Sequence, residues 1–424
     1  MAQQGGRTNV NVKIWKATSV LGSLVLLVLF VTVSAQTQTY EVIHNFTGGA
    51  DGEMPLAGLS IDAAGNLYGT THSGATSPNC FACGVVFRVS PKGSGWIFST
   101  LHTFQGGGDD GASPSAKVIF GPDGNLYGST NYGGSFSLGT VFRLQRPARA
   151  CVSTNCPWNL TVLYSFYNTY GANDIVFDQA GNIYGTTSQG GINDRGTVYE
   201  LTPSNGSWTA TILNQFGNNL GSPYSGVVVD QAGNIYGAAD VPRAGIVYEL
   251  TSPADQLQVL HQLPENGQEG SLPASDLITD GAGNLYGATS GGGSNGGGTV
   301  FKLSPSPSGW TFNTIYNLPG GVCNGTFLGS SNLSLDAAGS LYGTTYCYGA
   351  YGWGSVFKLT PSSNSWTYTS LYDFCADGYP CSDGCLPSSN VVFDSKGNLY
   401  GTASGCGAHS HGEYGSGVVW KITP

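Results

Sequence analysis

One short motif, Gly-Asn-Leu-Tyr-Gly followed by two small residues, recurs seven times with minor changes. Its tyrosines are Tyr68, Tyr127, Tyr184, Tyr236, Tyr286, Tyr342 and Tyr400, spaced 50–59 residues apart. A period of this length marks a repeat architecture, in which one unit is too small to bury its own apolar face and must stack on its neighbours. Each unit has the same four parts. A short apolar run ends in Asp, as in Val391–Asp394. A turn containing Gly-Asn leads into Leu/Ile-Tyr-Gly-Thr-Thr. A Gly-rich loop precedes a run such as Thr299-Val300-Phe301-Lys302-Leu303. A polar turn then leads, in five units, to a tryptophan (Trp96, Trp158, Trp208, Trp310, Trp366) that opens a last run such as Trp366–Phe374.

Apolar and polar residues alternate in the third and fourth parts, the period of a half-buried strand. Glycine in the first turn suits the positive φ of a tight hairpin. No segment has helical periodicity with caps. The chain holds 66 glycines among 424 residues, is 12% aromatic and only 9% charged, which argues against surface helices and coiled coils and equally against disorder. Four antiparallel strands repeated seven times predict an all-β fold, a seven-bladed β-propeller of four-stranded antiparallel blades. We label the strands of each blade A to D from the channel outward. The last unit stops after a C-type run, Val418–Thr423, while Tyr40–Phe46 reads as a D strand with nothing before it. The N-terminal strand is therefore expected to complete the last blade and close the ring.

The recurring Asp-x-x-Gly-Asn-Leu-Tyr-Gly-Thr-Thr, the Gly-Gly loop and Gly-Thr-Val-Phe-Lys-Leu resemble the GloVer (Gloeobacter/Verrucomicrobia-type) repeat family of exported bacterial proteins, over nearly all of residues 40–424. The resemblance implies a propeller from a bacterium and assigns no activity. The strand layout is also similar to kelch repeats, which include both binding proteins and an oxidase, so it bears on fold rather than function.

Residues 1–35 read as a secretory signal. Arg7, Lys13 and Lys16 precede an apolar run over about 20–33, and Val33-Ser34-Ala35 offers a small-residue cleavage site. Residues 36–424 then form a single propeller domain. Retention of the apolar run as an N-terminal anchor is the competing reading; after cleavage no transmembrane anchor is expected. The formal net charge of −10 excludes the basic footprint of a nucleic-acid binder. The expected product is a monomer, secreted or held in the periplasm or at the cell surface.

The AB and CD turns of such blades share one face, and the BC and DA loops share the other. The BC and DA loops vary most in length, and variable loops on a rigid scaffold are where binding usually resides. This face also holds eight of the ten cysteines, for which export makes disulfides the default. Aligning Ser330-Ser331-Asn332 with Ser388-Ser389-Asn390 gives an offset of 58 that carries Cys323 onto Cys381 and Cys347 to within one residue of Cys406. The expected bridges are thus Cys323–Cys347 and Cys381–Cys406, with Cys375–Cys385 remaining and local Cys80–Cys83 and Cys151–Cys156. A redox or zinc role for Cys80 and Cys83 is disfavoured, because the pair leads into a strand and only His72 lies near as a further ligand.

His44, His102 and His261 occupy one repeat position, filled elsewhere by Tyr164, Asn214, Tyr316 and Tyr372, and so read as structural. The Asp before the first turn (Asp62, Asp178, Asp230, Asp280, Asp336, Asp394; Gly121 in blade 2) reads as a turn cap. His409, His411 and Glu413 form a candidate metal set in the BC loop of blade 7, since alternate side chains of an extended segment share a face; a solvated loop is the plainer reading. Non-repeated acids on the same face are Asp51, Glu53, Asp109, Asp110, Glu265, Glu269, Asp377 and Asp383, which could cleave a glycosidic bond or bind calcium if suitably spaced. No cofactor is otherwise expected. The most distinctive loop is the BC loop of blade 6, with Tyr346, Tyr348, Tyr351 and Trp353, aromatics suited to a sugar ring or a protein chain. No Gly-x-Ser-x-Gly, His-Glu-x-x-His or P-loop motif occurs. The leading expectation is a non-catalytic propeller binding an extracellular glycan or protein through the BC/DA face. The alternatives are a polysaccharide hydrolase or lyase with acids near the central channel, and a purely structural surface protein.

Overall fold

The computed structural model describes residues 38–424 apart from 78, 79, 81, 148–156, 218, 242–243, 254–255, 274, 321–331, 364 and 410–414. Seven four-stranded antiparallel sheets form the blades of a β-propeller. In blade 1 the strands are Ser60–Ile61, Leu67–Thr71, Val85–Lys92 and Gly95–Thr103. Blade 7 is built from Val392–Phe393, Leu399–Ala403 and Val418–Thr423, and its D strand is Thr39–Asn45. Thr39 pairs with Thr423 and Asn45 with Val418, so the N-terminal strand closes the ring as expected. Among the described residues the largest apolar clusters each join one neighbouring pair of blades. One holds Phe46, Leu67, Phe87 and Tyr400 between blades 7 and 1, and another holds Tyr342, Val356, Leu399 and Trp420 between blades 6 and 7. No described helix is long and apolar enough to cross a membrane.

The glycine of Leu-Tyr-Gly has a steric cause. A Cβ on Gly69 would sit 2.6 Å from the Phe87 ring, and one on Gly343 would sit 2.7 Å from Phe357. In every blade this glycine faces an aromatic on strand C, the others being Phe142, Tyr199, Tyr248, Phe301 and Trp420. Removing one side chain from strand B lets a large ring fill the blade interior at core density. The turn glycine has positive φ in all seven blades, +79° at Gly65 and +81° at Gly397, a region that residues with a Cβ rarely adopt.

The turn aspartates cap as expected. Asp62 Oδ1 accepts the backbone N–H groups of Ala64 and Asn66, while Oδ2 accepts Asn66 Nδ2 at 2.8 Å and the Tyr68 hydroxyl at 3.1 Å. Blade 2 has Gly121 at this position, and Asp123 takes over, accepting Asn125 Nδ2 at 2.7 Å and the Tyr127 hydroxyl at 2.9 Å. These same tyrosines receive the D-strand tryptophans across the blade interface, as in Trp96 on Tyr400 and Trp310 on Tyr236. Motif Tyr, motif Asp and Trp thus form one inter-blade unit.

Strand A departs from the expectation of a four-residue apolar strand. In six blades only two residues pair, as in Val392–Phe393, because the preceding positions bend toward the channel and the next blade. The Lys117 N–H, for example, two residues before the paired Ile119–Phe120, donates to Asp174 of blade 3 at 2.8 Å. Blade 3 is the exception, with a strand over Thr169–Phe177.

Candidate ligand-binding face

In six blades a backbone bridge ties the DA loop to the BC loop that follows it. The paired residues are Glu53 with Ser73, Gly111 with Gly133, Thr169 with Gly190, Ser222 with Asp240, Ser271 with Gly291 and Cys385 with Gly405. Strands C and D carry a bulge in every blade, between Val86 and Phe87 in blade 1 and between Val42 and His44 at the closing strand. A bulge re-aims the strand end that follows it, and the position after each bulge is the one shared by histidine, tyrosine and asparagine. His44 stacks on Phe98 and His261 on Phe312, both at 4.0 Å, and Tyr316 stacks on Tyr368. The histidines also reach the DA loops: His44 Nε2 lies 3.2 Å from Asp51, His102 Nε2 3.0 Å from Asp110 and His261 Nε2 2.7 Å from Glu269. Tyr372 donates to Asp383 at 2.8 Å. Four of the acids singled out in the sequence therefore anchor loops. None of these pairs converges on a common centre.

The loop face they stiffen is studded with exposed apolar side chains. Met54, Tyr132, Phe136, Tyr167, Ile192, Tyr224, Tyr351 and Tyr379 all lie on BC or DA segments, leaving, among the described residues, only Ile212 and Val259 of the exposed large hydrophobics elsewhere, on D strands. In blade 6 Tyr351 is 50% exposed, Tyr346 and Tyr348 are half-buried, and the half-buried Trp353 stacks on Tyr379 with centroids 4.5 Å apart. A cleft of about 280 Å³ lies beside them, lined by Tyr348, Gly349, Ala350, Tyr368, Ser370 and Asp373 among others. Asp373 is fixed at its floor by the Ala350 N–H at 3.0 Å and the Ser370 hydroxyl at 2.9 Å.

The cysteines beneath this loop correct the expected pairing. The bridges are Cys375–Cys381 and Cys385–Cys406 in place of Cys381–Cys406 and Cys375–Cys385. The reason is proximity: all four sulfurs lie within 4.8 Å of one another in a buried cluster against Trp353 and Leu386, so an offset between repeats does not select one pairing. Cys80–Cys83 is bridged and Cys347 is disulfide-bonded. Cys323, Cys151 and Cys156 lie outside the described residues, as do His411 and Glu413 of the proposed metal set; His409 is exposed. Among the described residues, the four clustered cysteines are the one group of His, Cys, Asp or Glu close enough to hold a metal ion, and disulfides engage all four sulfurs.

The carboxylates that do meet were not among those singled out. The residue four positions before the turn Asp (Gly121 in blade 2) differs around the ring: Gly58, Lys117, Asp174, Gly226, Asp276, Asn332 and Asn390. Lys117 Nζ bonds Asp174 of blade 3 and reaches Asp276 of blade 5 at 2.9 Å. Contact between non-adjacent blades places this column at the channel, at the DA end of the A strands. Lys117 N–H donates to Asp174 at 2.8 Å, Gly226 N–H to Asp276 at 2.6 Å and Asp276 N–H to Asn332 at 2.9 Å, a polar girdle linking blade to blade. Burial would lower the Lys117 ammonium, but the two carboxylates outweigh it and raise it. Burial raises the Asp174 carboxyl, with Lys117 opposing and Asp276 adding to the rise. Burial works against Asp276 as well, yet Lys117 and the Gly226 N–H hold it low. The signal for this site was a repeat column that changes in nearly every blade while the position after it stays aliphatic.

Seven four-stranded blades in a ring, with exposed aromatics on one loop face, define a β-propeller. The chain belongs to the Gloeobacter/Verrucomicrobia repeat family, whose pattern matches residues 22–243 and 240–424. No curated protein matches it. Among solved structures it is similar to the extracellular domain of a candidate one-component system from B. thetaiotaomicron, at 11% identity and a TM-score of 0.51, covering 90% of this chain and 40% of that one. This chain therefore spans less than half the length of that protein, and the likeness is one of fold. It is also similar to a candidate 6-phosphogluconolactonase from Bacteroides uniformis, at 13% identity and a TM-score of 0.46, covering 74% of this chain and 83% of that one.

Proposed function

We propose that this protein is exported and binds a glycan or protein ligand through the BC/DA face, without catalysing a reaction. The observation that carries this reading is that, among the described residues, eight of the ten exposed large hydrophobic side chains lie on that face. Exposed aromatics that serve no core are costly to keep unless a partner covers them. The loop-to-loop bridges support the reading, because loops already ordered lose little entropy on binding. Export is supported by the basic and apolar leader of residues 1–35 and by the disulfides. The test is a glycan array and a pull-down from culture medium with the wild type and with Tyr348→Ala/Tyr351→Ala. Trp353 is left intact because it packs on the disulfide cluster. Loss of the retained ligand at an unchanged melting temperature is expected; unchanged retention would place the ligand elsewhere.

A polysaccharide hydrolase or lyase is the second reading, favoured by the meeting of Asp174 and Asp276 at the channel. Lys117 engages both carboxylates, which leaves neither free as an acid or base. Release of reducing ends by the wild type and not by Asp276→Asn would reverse the order of the two readings.

A further inference from the structure

The blade 6 patch has a counterpart across the face that its sequence did not announce. Tyr132 and Phe136, on the BC loop of blade 2, are 56% and 59% exposed, and Tyr167, on the loop leaving that blade, is 56% exposed. Phe136 and Tyr167 touch edge to face with centroids 6.2 Å apart. Tyr132 is pinned by its backbone, since Tyr132–Gly133 pairs with Gly111–Ala112. The residues between and beside these rings are Ser135, Ser137 and Asn168, all exposed and uncharged. Wide rings set among hydroxyls and amides suit a pyranose. Its C–H groups meet the negative ring face and its hydroxyls find small polar partners.

Charge narrows the class further. Outside the channel, the BC and DA segments carry two Lys or Arg residues, Arg195 and Arg243, whereas Asp109, Asp194, Glu265 and Asp377 are exposed there. Such a face repels uronate or sulfate groups and slows their approach. We propose that Tyr132, Phe136 and Tyr167 form a second sugar-stacking platform, specific for an uncharged polysaccharide. This rests on the reading of the loop face as a binding surface. One polymer contacting this platform and the Tyr348/Tyr351 patch would gain the avidity of two linked sites.

The test is affinity electrophoresis of the full chain in native gels containing xyloglucan, galactomannan, polygalacturonate or alginate. Retardation by at least one neutral polymer and by neither acidic one is expected. The variant Tyr132→Ala/Phe136→Ala/Tyr167→Ala should weaken that binding at least tenfold with no change in melting temperature, as all three side chains are exposed. Equal retardation by the acidic polymers overturns the proposal. So does neutral binding that is lost only in Tyr348→Ala/Tyr351→Ala, although that result upholds the binding face itself. If no polysaccharide retards the wild type, the platform is not a sugar site, and the pull-down alone then decides whether the face binds a protein.

Discussion

Lys117 holds together three blades that share no hydrogen-bonded ladder. Its side chain is 24% exposed and those of Asp174 and Asp276 are 13% and 15%, so the charges are poorly screened by solvent. Removing the cation leaves two carboxylates facing each other with little water. Lys117→Met is expected to destabilise the protein by about 3–5 kcal/mol at pH 7, measured by chemical denaturation. The pH dependence follows from the sign of the shift. In the variant, the Lys117 charge that holds Asp276 low is gone, and burial raises both carboxyls; such groups lose stability as pH rises through the folded pKa, so the deficit should shrink as the pH is lowered toward 4. A deficit that is flat with pH would mean the loss is one of packing. The column that holds Lys117 was legible in the sequence, but only by comparing one position across all seven units. Reading each unit for its constant residues hides a position whose meaning lies in its variation. The pairing of Cys375, Cys381, Cys385 and Cys406 was not legible, because four sulfurs in one cluster satisfy more than one connectivity and the choice depends on backbone directions that spacing does not encode.

At the scale of the element, each AB turn is a carboxylate with the backbone folded around it. Burial would raise Asp62, Asp123, Asp230, Asp280 and Asp394, but hydrogen bonds from the turn Asn, the backbone and the motif Tyr outweigh it and hold them low. A depressed folded pKa gives stability that is present above the unfolded value, near 4, and is lost as pH falls through the folded one. The melting temperature is therefore expected to fall steeply below pH 4. Asp62→Asn/Asp394→Asn should lose about 1 kcal/mol per site at pH 6 and show a shallower acid slope, both readable from thermal melts across pH 3–6. Strands B and C were legible because Leu-Tyr-Gly-Thr-Thr and Thr-Val-Phe-Lys-Leu state their faces residue by residue. Strand A was overestimated because apolar residues at the channel end, such as Leu59 and Val391, are buried without belonging to the ladder. Blade 2 shows how the unit tolerates a break: Gly121 removes the carboxylate, Asp123 supplies one two residues later, and a Cβ at 121 would collide with the displaced Tyr127 ring.

At the scale of the molecule, stability depends on a complete circle, since each large apolar cluster needs the blade on either side. Deleting residues 36–47 removes the strand Thr39–Asn45 together with Phe46, which is fully buried between blades 7 and 1. A sharp drop in melting temperature is expected. A synthetic peptide of residues 36–47 should restore part of it in proportion to its concentration, as any ligand selective for the folded state does. No change on deletion would show that the ring stands without its closing strand.

That ladder between Thr39–Asn45 and Val418–Thr423 also sets an order of events. The chain emerges N-terminus first, so Thr39–Asn45 is made before its partner, with six blades made in between. Until Val418–Thr423 is made, its edge stays open and the ring has a gap. A polypeptide broken off anywhere short of Val418 cannot close, and presents unpaired strand edges and an uncovered Phe46 to proteases. The geometry thus ties the closed and resistant form to the presence of both of these strands.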